Sequence, residues 1–373
     1  MIIQRQIPRV MLIGLSDPFK SKEDMISDFE EVESLVTTFG GTVYAALVQN
    51  KTRGNLDTFI GPGKVEETLK EIAEKEIDIV IINDTIKPGQ IHNLLLTFQK
   101  VNPKILVWDR VNLILEIFSK HARTAEAKLQ IRFAKMRQMG PRIYGMGMEM
   151  SNQAAGIGAK GIGETNTELM LRHWQGEKKK IQEELDVLSK RKMEQINHRR
   201  QIGLPTISLV GYTNAGKTTL FNRLTGLNDL VANILFATLD STVNKFYLRG
   251  LDEEVYLSDT IGFIKNLPPL LIDAFKSTLL ETINADLILH VIDSSDPRME
   301  EKIKAVEEIL GELGIKKENI MYVFNKVDNN ANFDRAKAMN EFKEFTPAFI
   351  SAKNGDGMVE LMNLFTSRLK LKS

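Results

Sequence analysis

The chain has 373 residues, of which 43% are apolar and 26% charged, and its 49 basic and 49 acidic side chains give a formal net charge of zero. A chain of this length and apolar content should hold two or three domains with sizeable cores. It contains no cysteine, which excludes a disulfide framework and a thiolate metal or redox site.

Residue spacing argues against two further classes of protein. The five histidines are scattered, without an H-E-x-x-H or other paired spacing, so a zinc site is not expected. No apolar run approaches 18 residues, and the N-terminus lacks an apolar signal-peptide core. We therefore expect a cytoplasmic protein without an integral membrane segment.

The first 121 residues alternate strand-like and helix-like patterns. The predicted elements are, in order, a strand at 10–15, a helix at 28–39, a strand at 42–48, a helix at 64–75, a strand at 78–82, a helix from Pro88, and a strand at 104–107. This alternation predicts a small parallel sheet with covering helices. Gly61-Pro62-Gly63 reads as a turn rather than a ligand site, although nothing excludes a second nucleotide such as ATP near this sheet.

Residues 122–200 show helical periodicity on both sides of a glycine-rich break that runs from Gly140 to Gly163. The apolar positions are Leu129, Phe133 and Met136 before the break, and Leu169, Trp174, Ile181, Leu185 and Leu188 after it. Two long antiparallel helices joined by a loop are the simplest interpretation.

This middle segment is also basic. Between Lys120 and Arg200 there are 17 Lys and Arg against 9 Asp and Glu, a net charge of +8, so the rest of the chain carries −8. The glycine-rich break could be a flexible connector between solvated helices. Alternatively, glycines beside Arg142 and Lys160 at a hairpin tip suit close contact with an RNA backbone. Spacing alone favours the connector.

Gly211 to Thr218 fits the phosphate-binding pattern G-x-x-x-x-G-K-[ST] in every fixed position. It follows a strand-like run at 207–210 and precedes a helix-like run. Glycines let successive N–H groups face a phosphate, and the following helix adds its positive end. The pattern predicts that Lys217 reaches the β- and γ-phosphates and that Thr218 holds Mg²⁺.

Three later segments follow strand-like runs and indicate the nucleotide. In Asp259-Thr260-Ile261-Gly262, the carboxylate can hold a Mg²⁺-bound water and the Gly262 N–H can sense a γ-phosphate, although a lone D-x-x-G is a weak signal. In Ser351-Ala352-Lys353, a backbone N–H can contact the guanine O6.

Asn325-Lys326-Val327-Asp328 carries the sharper chemistry. A buried Asp328 carboxylate can accept hydrogen bonds from guanine N1–H and the 2-amino group, which adenine cannot supply. Asn325 is expected to bridge the phosphate loop and the base, and the stem of Lys326 to pack on the purine. The order of the four motifs predicts a doubly wound GTPase domain with its ligand at the carboxyl ends of parallel strands.

Segments from all three regions resemble the HflX family of ribosome-associated GTPases. They are Asp57–Glu67, Arg123–Gln130, Gly156–Gly158, Gly161–Thr165, Gly211–Lys217, Phe236–Asp240 and Asp259–Ile264. The resemblance implies an α/β domain at 1–121, a helical hairpin at 122–200 and a P-loop GTPase domain at 201–373.

The resemblance also implies a function. It predicts a monomer that binds the large (50S) ribosomal subunit and its RNA through the 122–200 hairpin, not DNA, and that is partly ribosome-associated in the cytoplasm. The role implied is in splitting or rescuing stalled ribosomes, or in their biogenesis. Thr238 and Thr242 are both available as the switch threonine that joins Thr218 on Mg²⁺, and the resemblance favours Thr238.

The candidate catalytic residues are Lys217, Thr238, Gly262 and Asn214. The candidate contacts to GTP or GDP are Gly211, Tyr212, Thr213, Asn214, Ala215, Gly216, Lys217, Thr218, Thr219, Phe236, Ala237, Thr238, Leu239, Asp240, Asp259, Thr260, Ile261, Gly262, Asn325, Lys326, Val327, Asp328, Ser351, Ala352 and Lys353.

Phe263 stands where many GTPases place a water-orienting Gln. Because a Phe side chain cannot hydrogen-bond to water, unaided hydrolysis should be slow. Asn214 stands where some GTPases recruit K⁺, or it is an ordinary loop asparagine. The chain is therefore expected to be either a partner-activated GTPase or a nucleotide-gated ribosome-binding factor in which hydrolysis is a slow reset.

Overall fold

The computed structural model divides the chain into two compact units. The first contains Met1–Lys120 and Leu129–Glu183, and the second contains His121–Lys128 and Glu184–Ser373. The structure describes residues 7–16, 21–152, 166–227, 235–236, 241–265, 267–330 and 333–371. The expected division into three domains at residues 121 and 200 stays a prediction.

The first unit contains a four-stranded parallel sheet with the strand order β2-β1-β3-β4. The strands are β1 (Arg9–Ser16), β2 (Thr42–Asn50), β3 (Ile79–Ile82) and β4 (Leu106–Asp109). All four residues of β3 are buried. Its continuous apolar run is typical of a strand that is covered on both faces. The parallel sheet predicted from βα alternation is thereby confirmed.

Four helices belong to this sheet: α1 (Lys22–Phe39), α2 (Pro62–Lys75), α3 (Pro88–Phe98) and α4 (Arg110–His121). α1 begins at Lys22 rather than at the predicted Asp28, because Ser21 caps it by accepting a hydrogen bond from the Asp24 N–H at 3.0 Å. α4 follows β4 directly and was not predicted. Seven of its residues are buried, and the polar residues Asn112, Glu116 and Ser119, at i, i+4 and i+7, are the helical signal that could have found it.

The middle region forms α5 (Ala125–Asn152) and α6 (Asn166–Gln201). The glycine-rich break was predicted to start at Gly140, and this start is wrong because the helix continues beyond it. Gly140 kinks α5 with a φ of 63°, but the helix resumes and continues to Asn152. A glycine tolerates the positive φ, and Pro141 fits the first turn of the resumed helix. The rest of the expected loop, 153–163, lies outside the described residues.

The predicted apolar face of this region is confirmed at four of its eight positions, and Leu129, Trp174 and Leu188 are half-buried. Phe133 and Met136 on α5, and Ile181 and Leu185 on α6, are buried. The prediction is wrong for Leu169, which is 58% exposed. Leu169 lies in the first turn of α6, and periodicity does not reveal how far along a helix its packing partner extends.

The second unit contains a six-stranded sheet with the order β10-β9-β8-β5-β7-β6. Its strands are β5 (Thr206–Val210), β6 (Thr242–Leu248), β7 (Glu253–Asp259), β8 (Leu287–Asp293), β9 (Ile320–Asn325) and β10 (Ala348–Phe349). The β6–β7 pair is antiparallel and the others are parallel. The strand order reverses between β5 and β8, where a doubly wound sheet binds its ligand.

The remaining helices are α7 (Lys217–Thr225), α8 (Pro269–Ala274), α9 (Lys276–Ile283), α10 (Met299–Glu312), α11 (Arg335–Glu341) and α12 (Met358–Lys370). The predicted fold class, α/β with parallel sheets, a helical region and a C-terminal P-loop domain, is confirmed. No helix in the described part of the chain combines the length and the apolar character that crossing a bilayer requires.

Candidate nucleotide site

Two glycines bring the phosphate loop close to neighbouring strands. Gly211 has a φ of 151°, and a Cβ at this position would lie 2.2 Å from the carbonyl oxygen of Val291 on β8. Gly216 has a φ of 94°, and its Cβ would lie 2.3 Å from Nδ2 of Asn325 on β9. Only glycine satisfies both the backbone conformation and the available space.

Lys217 is buried at the start of α7. Its Nζ donates to the carbonyl oxygens of Gly211 and Tyr212 at 3.0 and 2.9 Å. Burial lowers the pKa of Lys217 to about 8, and the nearby Asp259 carboxylate opposes this shift. The ammonium is thus held in the loop by neutral carbonyls, so its charge can still act on an anion.

Thr218 and Asp259 supply oxygen ligands suited to Mg²⁺. The Thr218 hydroxyl donates to Asp259 Oδ2 at 2.8 Å, which joins α7 to the end of β7. Within the described residues, no group of three or more His, Cys, Asp or Glu could hold a metal by itself. The donor set therefore fits a Mg²⁺ ion that binds together with phosphate oxygens and water, as Mg²⁺ commonly does.

The segment after Asp259 is joined to the phosphate loop through its main chain. The Phe263 N–H donates to the Gly211 carbonyl at 3.1 Å, and the Thr213 N–H donates to the Phe263 carbonyl at 2.8 Å. A Cβ on Gly262 would lie 2.8 Å from Thr213 Cγ2 and 3.1 Å from Lys217 Nζ. The Gly262 main chain therefore lies directly beside the phosphate-binding lysine.

Phe263 itself is 1% exposed, so its ring is part of the core. Thr260 is also turned inward, because its hydroxyl donates to the Leu209 carbonyl at 2.6 Å. Ile261 is 5% exposed. In the segment 259–261, Asp259 is the residue whose side chain bonds to Thr218, the predicted Mg²⁺ ligand.

Asn325 joins two of the predicted motifs. Its Nδ2 donates to the Ala215 carbonyl in the phosphate loop at 2.9 Å, and its Oδ1 accepts from the Ala352 N–H at 2.9 Å. A single side chain at the end of β9 thus brings the phosphate loop and the 351–353 segment together. The bond to the phosphate loop agrees with one half of the bridge predicted for Asn325, and the contact with the base stays a prediction.

The other residues of this motif follow a tight turn. Lys326 has a φ of 61°, and its Nζ pairs with Asp293 Oδ2 at 2.6 Å. The Val327 N–H donates to the Ile350 carbonyl at 3.2 Å. Asp328 is exposed, and its pairing with guanine stays a prediction. Burial of Asp328 would have to come from the base itself.

Two of the three main-chain N–H groups in the 351–353 segment are already hydrogen-bonded. The Ser351 N–H donates to the Asp356 carbonyl at 3.0 Å, and the Ala352 N–H is bonded to Asn325. Among the described residues, the Lys353 N–H has no acceptor. It is therefore the amide of this segment that is most accessible to a ligand oxygen.

Comparison with known proteins decides the family. A chain described as GTPase HflX from Caldanaerobacter subterraneus is 39% identical over 98% of this chain and 82% of its own length. GTPase HflX of Escherichia coli is 36% identical over 94% of this chain and 81% of its own length. The chain belongs to the HflX family of GTPases.

Family models and solved structures agree with this membership. Models described as "GTP-binding GTPase N-terminal", "GTP-binding GTPase Middle Region" and "50S ribosome-binding GTPase" match residues 27–119, 121–199 and 206–326. A crystal structure of SsGBP with GDP has a TM-score of 0.54 at 25% identity, covering 98% of this chain and 100% of its own. A GDP complex from Sulfolobus solfataricus has a TM-score of 0.50 at 24% identity, covering 98% and 100%. The predicted family, and the prediction of a GTP-hydrolysing enzyme, are confirmed.

Several predicted site residues of this HflX-family GTPase cannot be located. Ala237, Thr238, Leu239 and Asp240 lie outside the described residues, so the choice of Thr238 as switch threonine stays a prediction. Phe236 is described and is 2% exposed. Asn214 is exposed with a φ of 63°, a conformation that asparagine tolerates better than most residues. Both interpretations of Asn214 therefore stay open.

Two contacts in the HflX-family site were missed by sequence reasoning. The Tyr212 hydroxyl accepts a hydrogen bond from the Lys265 N–H at 2.8 Å, which joins the phosphate loop to the segment after Gly262. Asp293 pairs with Lys326. Asp293 ends β8 next to Asn325, which ends β9, and this parallel alignment is a signal that could have found it.

Proposed function

We propose that this HflX-family GTPase requires Mg²⁺ and acts on the large ribosomal subunit, in the splitting or rescue of stalled ribosomes. The observation that carries the nucleotide part is the position of Asn325, which bonds both the phosphate loop and the segment expected to contact guanine. The joined motifs lie at the carboxyl ends of parallel strands, where such sheets bind ligands.

Each residue has a role in this proposal. Lys217 and the Gly262 N–H hold the γ-phosphate, and the Asp328 carboxylate accepts the guanine N1–H and 2-amino group. Thr218 and Thr238 would hold Mg²⁺, which when bound neutralises phosphate charge. Asp328 also excludes adenine, because a carboxylate covered by a base without matching donors would lose its hydrogen bonds to water.

The proposed binding to the ribosome rests on the basic charge of the middle region and on the description of the matching family model. The model that matches residues 206–326 is described as a 50S ribosome-binding GTPase. The basic stretch of α6 includes the exposed Lys179 and Lys180. Exposed lysines on a helix attract a phosphate backbone through counterion release, and such binding weakens steeply with salt. This supports RNA as the partner of the 122–200 hairpin.

Sedimentation with 50S subunits in GTP, GDP or no nucleotide tests the proposal. We expect co-sedimentation with GTP and weaker association with GDP. The double variant Lys179→Ala/Lys180→Ala should bind less and show a shallower salt dependence. Lys316→Ala/Lys317→Ala removes two exposed lysines elsewhere and should match the wild type. Binding that ignores the nucleotide would contradict a GTP-gated role.

A second candidate function is a nucleotide-gated binding factor in which hydrolysis only resets the protein. The buried Phe263 favours it, since no side chain at this position can orient water. Helix α9, the second helix after the Gly262 segment, also bonds to both hairpin helices. Ser277 on α9 donates to Glu126 on α5 at 2.5 Å, and Arg199 on α6 donates to both carboxylate oxygens of Glu281 on α9 at 2.7 Å. These bonds offer a route from the γ-phosphate to the hairpin.

Two rate measurements separate the candidates. A large increase in GTP hydrolysis on adding 50S subunits supports the partner-activated enzyme, whereas GTP-dependent binding without acceleration supports the gated factor. Hydrolysis in KCl and NaCl tests whether Asn214 recruits K⁺, which would stabilise charge in the transition state. Equal rates in the two salts would remove the K⁺ hypothesis.

A further inference from the structure

Arg223 contacts the guanine end of the site although no motif includes it. It lies near the end of α7, the helix that begins at Lys217. Its Nε donates to the Ala352 carbonyl at 2.5 Å, and its Nη2 donates to the Lys353 carbonyl at 2.5 Å. One guanidinium thus holds two successive peptide groups of the 351–353 segment.

The surrounding loop is shaped to admit this guanidinium. Gly355 has a φ of 97°, and a Cβ there would lie 2.8 Å from Arg223 Nη1. The loop is also closed internally, because the Gly355 N–H donates to the Ser351 carbonyl at 2.7 Å and the Asn354 N–H donates to the Ser351 hydroxyl at 3.0 Å. The loop is therefore compact, and its carbonyls face Arg223.

Peptide geometry connects Arg223 to the ligand side of the loop. The Ala352 carbonyl and the Lys353 N–H belong to one peptide group, and the described chain contains no cis peptide bond. In a planar trans peptide the C=O and N–H point in opposite directions. By holding the Ala352 carbonyl, Arg223 turns the Lys353 N–H away from itself. That N–H is the donor left available in the segment.

We propose that Arg223 is a positioning residue for guanine recognition, which fixes the Lys353 N–H toward the O6 atom of the base. This rests on the proposed function, in which the 351–353 segment contacts O6. α7 then serves both ends of the nucleotide, with Lys217 at the phosphates and Arg223 about 9 Å further along the helix. Asn325 holds the same segment through the Ala352 N–H.

Three triphosphates separate O6 recognition from the other guanine contacts. 6-Thio-GTP keeps the N1–H and 2-amino groups but replaces O6 by sulfur, a weaker acceptor. ITP keeps O6 but lacks the 2-amino group, so the preference for GTP over ITP reports on Asp328. Affinities of the full-length protein, measured by competition with a fluorescent GDP analogue in Mg²⁺, give both preferences independently.

Arg223→Met keeps a long side chain but removes the donors. We expect GTP binding to weaken by up to about tenfold, which corresponds to one lost hydrogen bond between the protein and the base. The GTP over 6-thio-GTP preference should fall to near one, while the GTP over ITP preference stays unchanged. Arg223→Lys, which retains one charged donor, should restore part of the lost preference.

Arg368→Met is the matched control. Arg368 on α12 also donates to two main-chain carbonyls, those of Glu318 and Ile320 at 2.6 and 3.3 Å, but it has no contact with the nucleotide motifs. It should leave both preferences at the wild-type value. Melting curves of all variants show whether the fold is intact, and if Arg223→Met does not fold, the graded loss in Arg223→Lys carries the test.

The outcomes distinguish a failure of the guanine site from a failure of the role proposed for Arg223. A wild-type protein that does not prefer GTP over ATP overturns the guanine site and with it the proposed function. A wild type that prefers GTP, but equally accepts 6-thio-GTP, overturns O6 recognition alone. An Arg223→Met variant that keeps the 6-thio-GTP preference, or that loses affinity for all three nucleotides equally, overturns the role of Arg223.

Discussion

The two parallel sheets of this chain use their carboxyl ends in opposite ways. In the second unit, the ends of β5, β8 and β9 are met by a glycine-rich main chain, and Gly211 approaches Val291 closely. In the first unit, the side chains at the end of β4 and at the start of α4 bond to side chains of α5 and α1. Asp109 accepts from Gln138 Nε2 at 2.5 Å, and Arg110 pairs with Glu31 at 2.5 Å.

The difference shows that a parallel sheet does not by itself make a phosphate site. Both sheets place polar residues where ligands bind in α/β folds. Within the described residues, the second sheet has the buried Lys217 at that edge, whereas in the first Arg110 also donates to Asn83 Oδ1 at 3.3 Å. Function here depends on the loop between strand and helix rather than on the sheet.

The largest effect, a loss of GTP affinity, is expected when a side chain is introduced at Gly211, where the phosphate loop lies against β8. Gly211→Ala places a Cβ 2.2 Å from the Val291 carbonyl oxygen at a φ that L-residues rarely adopt, so the loop must move. Because displacement of a positioned group by about 1 Å can cost about 100-fold, we expect GTP affinity to fall by at least that factor. Competition with a fluorescent GDP analogue measures it.

Gly63→Ala, at the start of α2 in the first unit, is the matched control. A Cβ at Gly63 would have no neighbour within 4 Å, so the substitution should leave both folding and GTP affinity unchanged. Wild-type affinity in Gly211→Ala would mean that the phosphate loop does not need its close approach to β8.

Sequence reasoning succeeded where a residue type directly encodes its geometry. Gly211, Gly216 and Lys217 are predictable because the pattern itself states the backbone conformation and the charge that a phosphate requires. Asn325 is predictable for the same reason, and the structure gives it two bonded partners. Strand positions in both sheets follow from apolar runs.

The sequence-based predictions that failed concern features that depend on tertiary packing. Leu169 is exposed although it fits the apolar periodicity of α6, because burial depends on what a helix packs against and not on its own sequence. Arg223 belongs to no pattern, since its partners are main-chain carbonyls more than a hundred residues away, whose identity leaves no trace in the sequence.

A smaller effect, on the pH dependence of stability, is expected from the buried Asp109 carboxyl at the end of β4. Burial raises the pKa of Asp109 from 3.8 to about 7. The folded unit therefore holds the Asp109 proton more tightly than the unfolded chain does, so the stability contributed by Asp109 is fully present below about pH 4 and is lost as the pH rises through 7. Between pH 5 and 8 the loss should be on the order of 2 kcal/mol.

Asp109→Asn should remove most of this pH dependence while leaving GTP affinity unchanged. Urea unfolding followed by tryptophan fluorescence reports on the first unit, because both tryptophans, Trp108 and Trp174, belong to it. Asp84→Asn, at an exposed carboxyl just after β3, is the control and should keep the wild-type slope. An unchanged slope in Asp109→Asn would assign the pH dependence to another group.

The smallest effect concerns how the first helix of each sheet begins. Ser21 caps α1, whereas α7 begins at Gly216 without a side-chain cap, so its first N–H groups can face a phosphate. Ser21→Ala should therefore cost about 1 kcal/mol of stability in the first unit. The same tryptophan signal measures it, and Ser21→Asn, which can still cap, should lose much less. GTP affinity should not change in either variant, because the capped helix is not the one that binds phosphate. A loss of GTP affinity in Ser21→Ala alone would mean that the beginning of α1 also supports the nucleotide site.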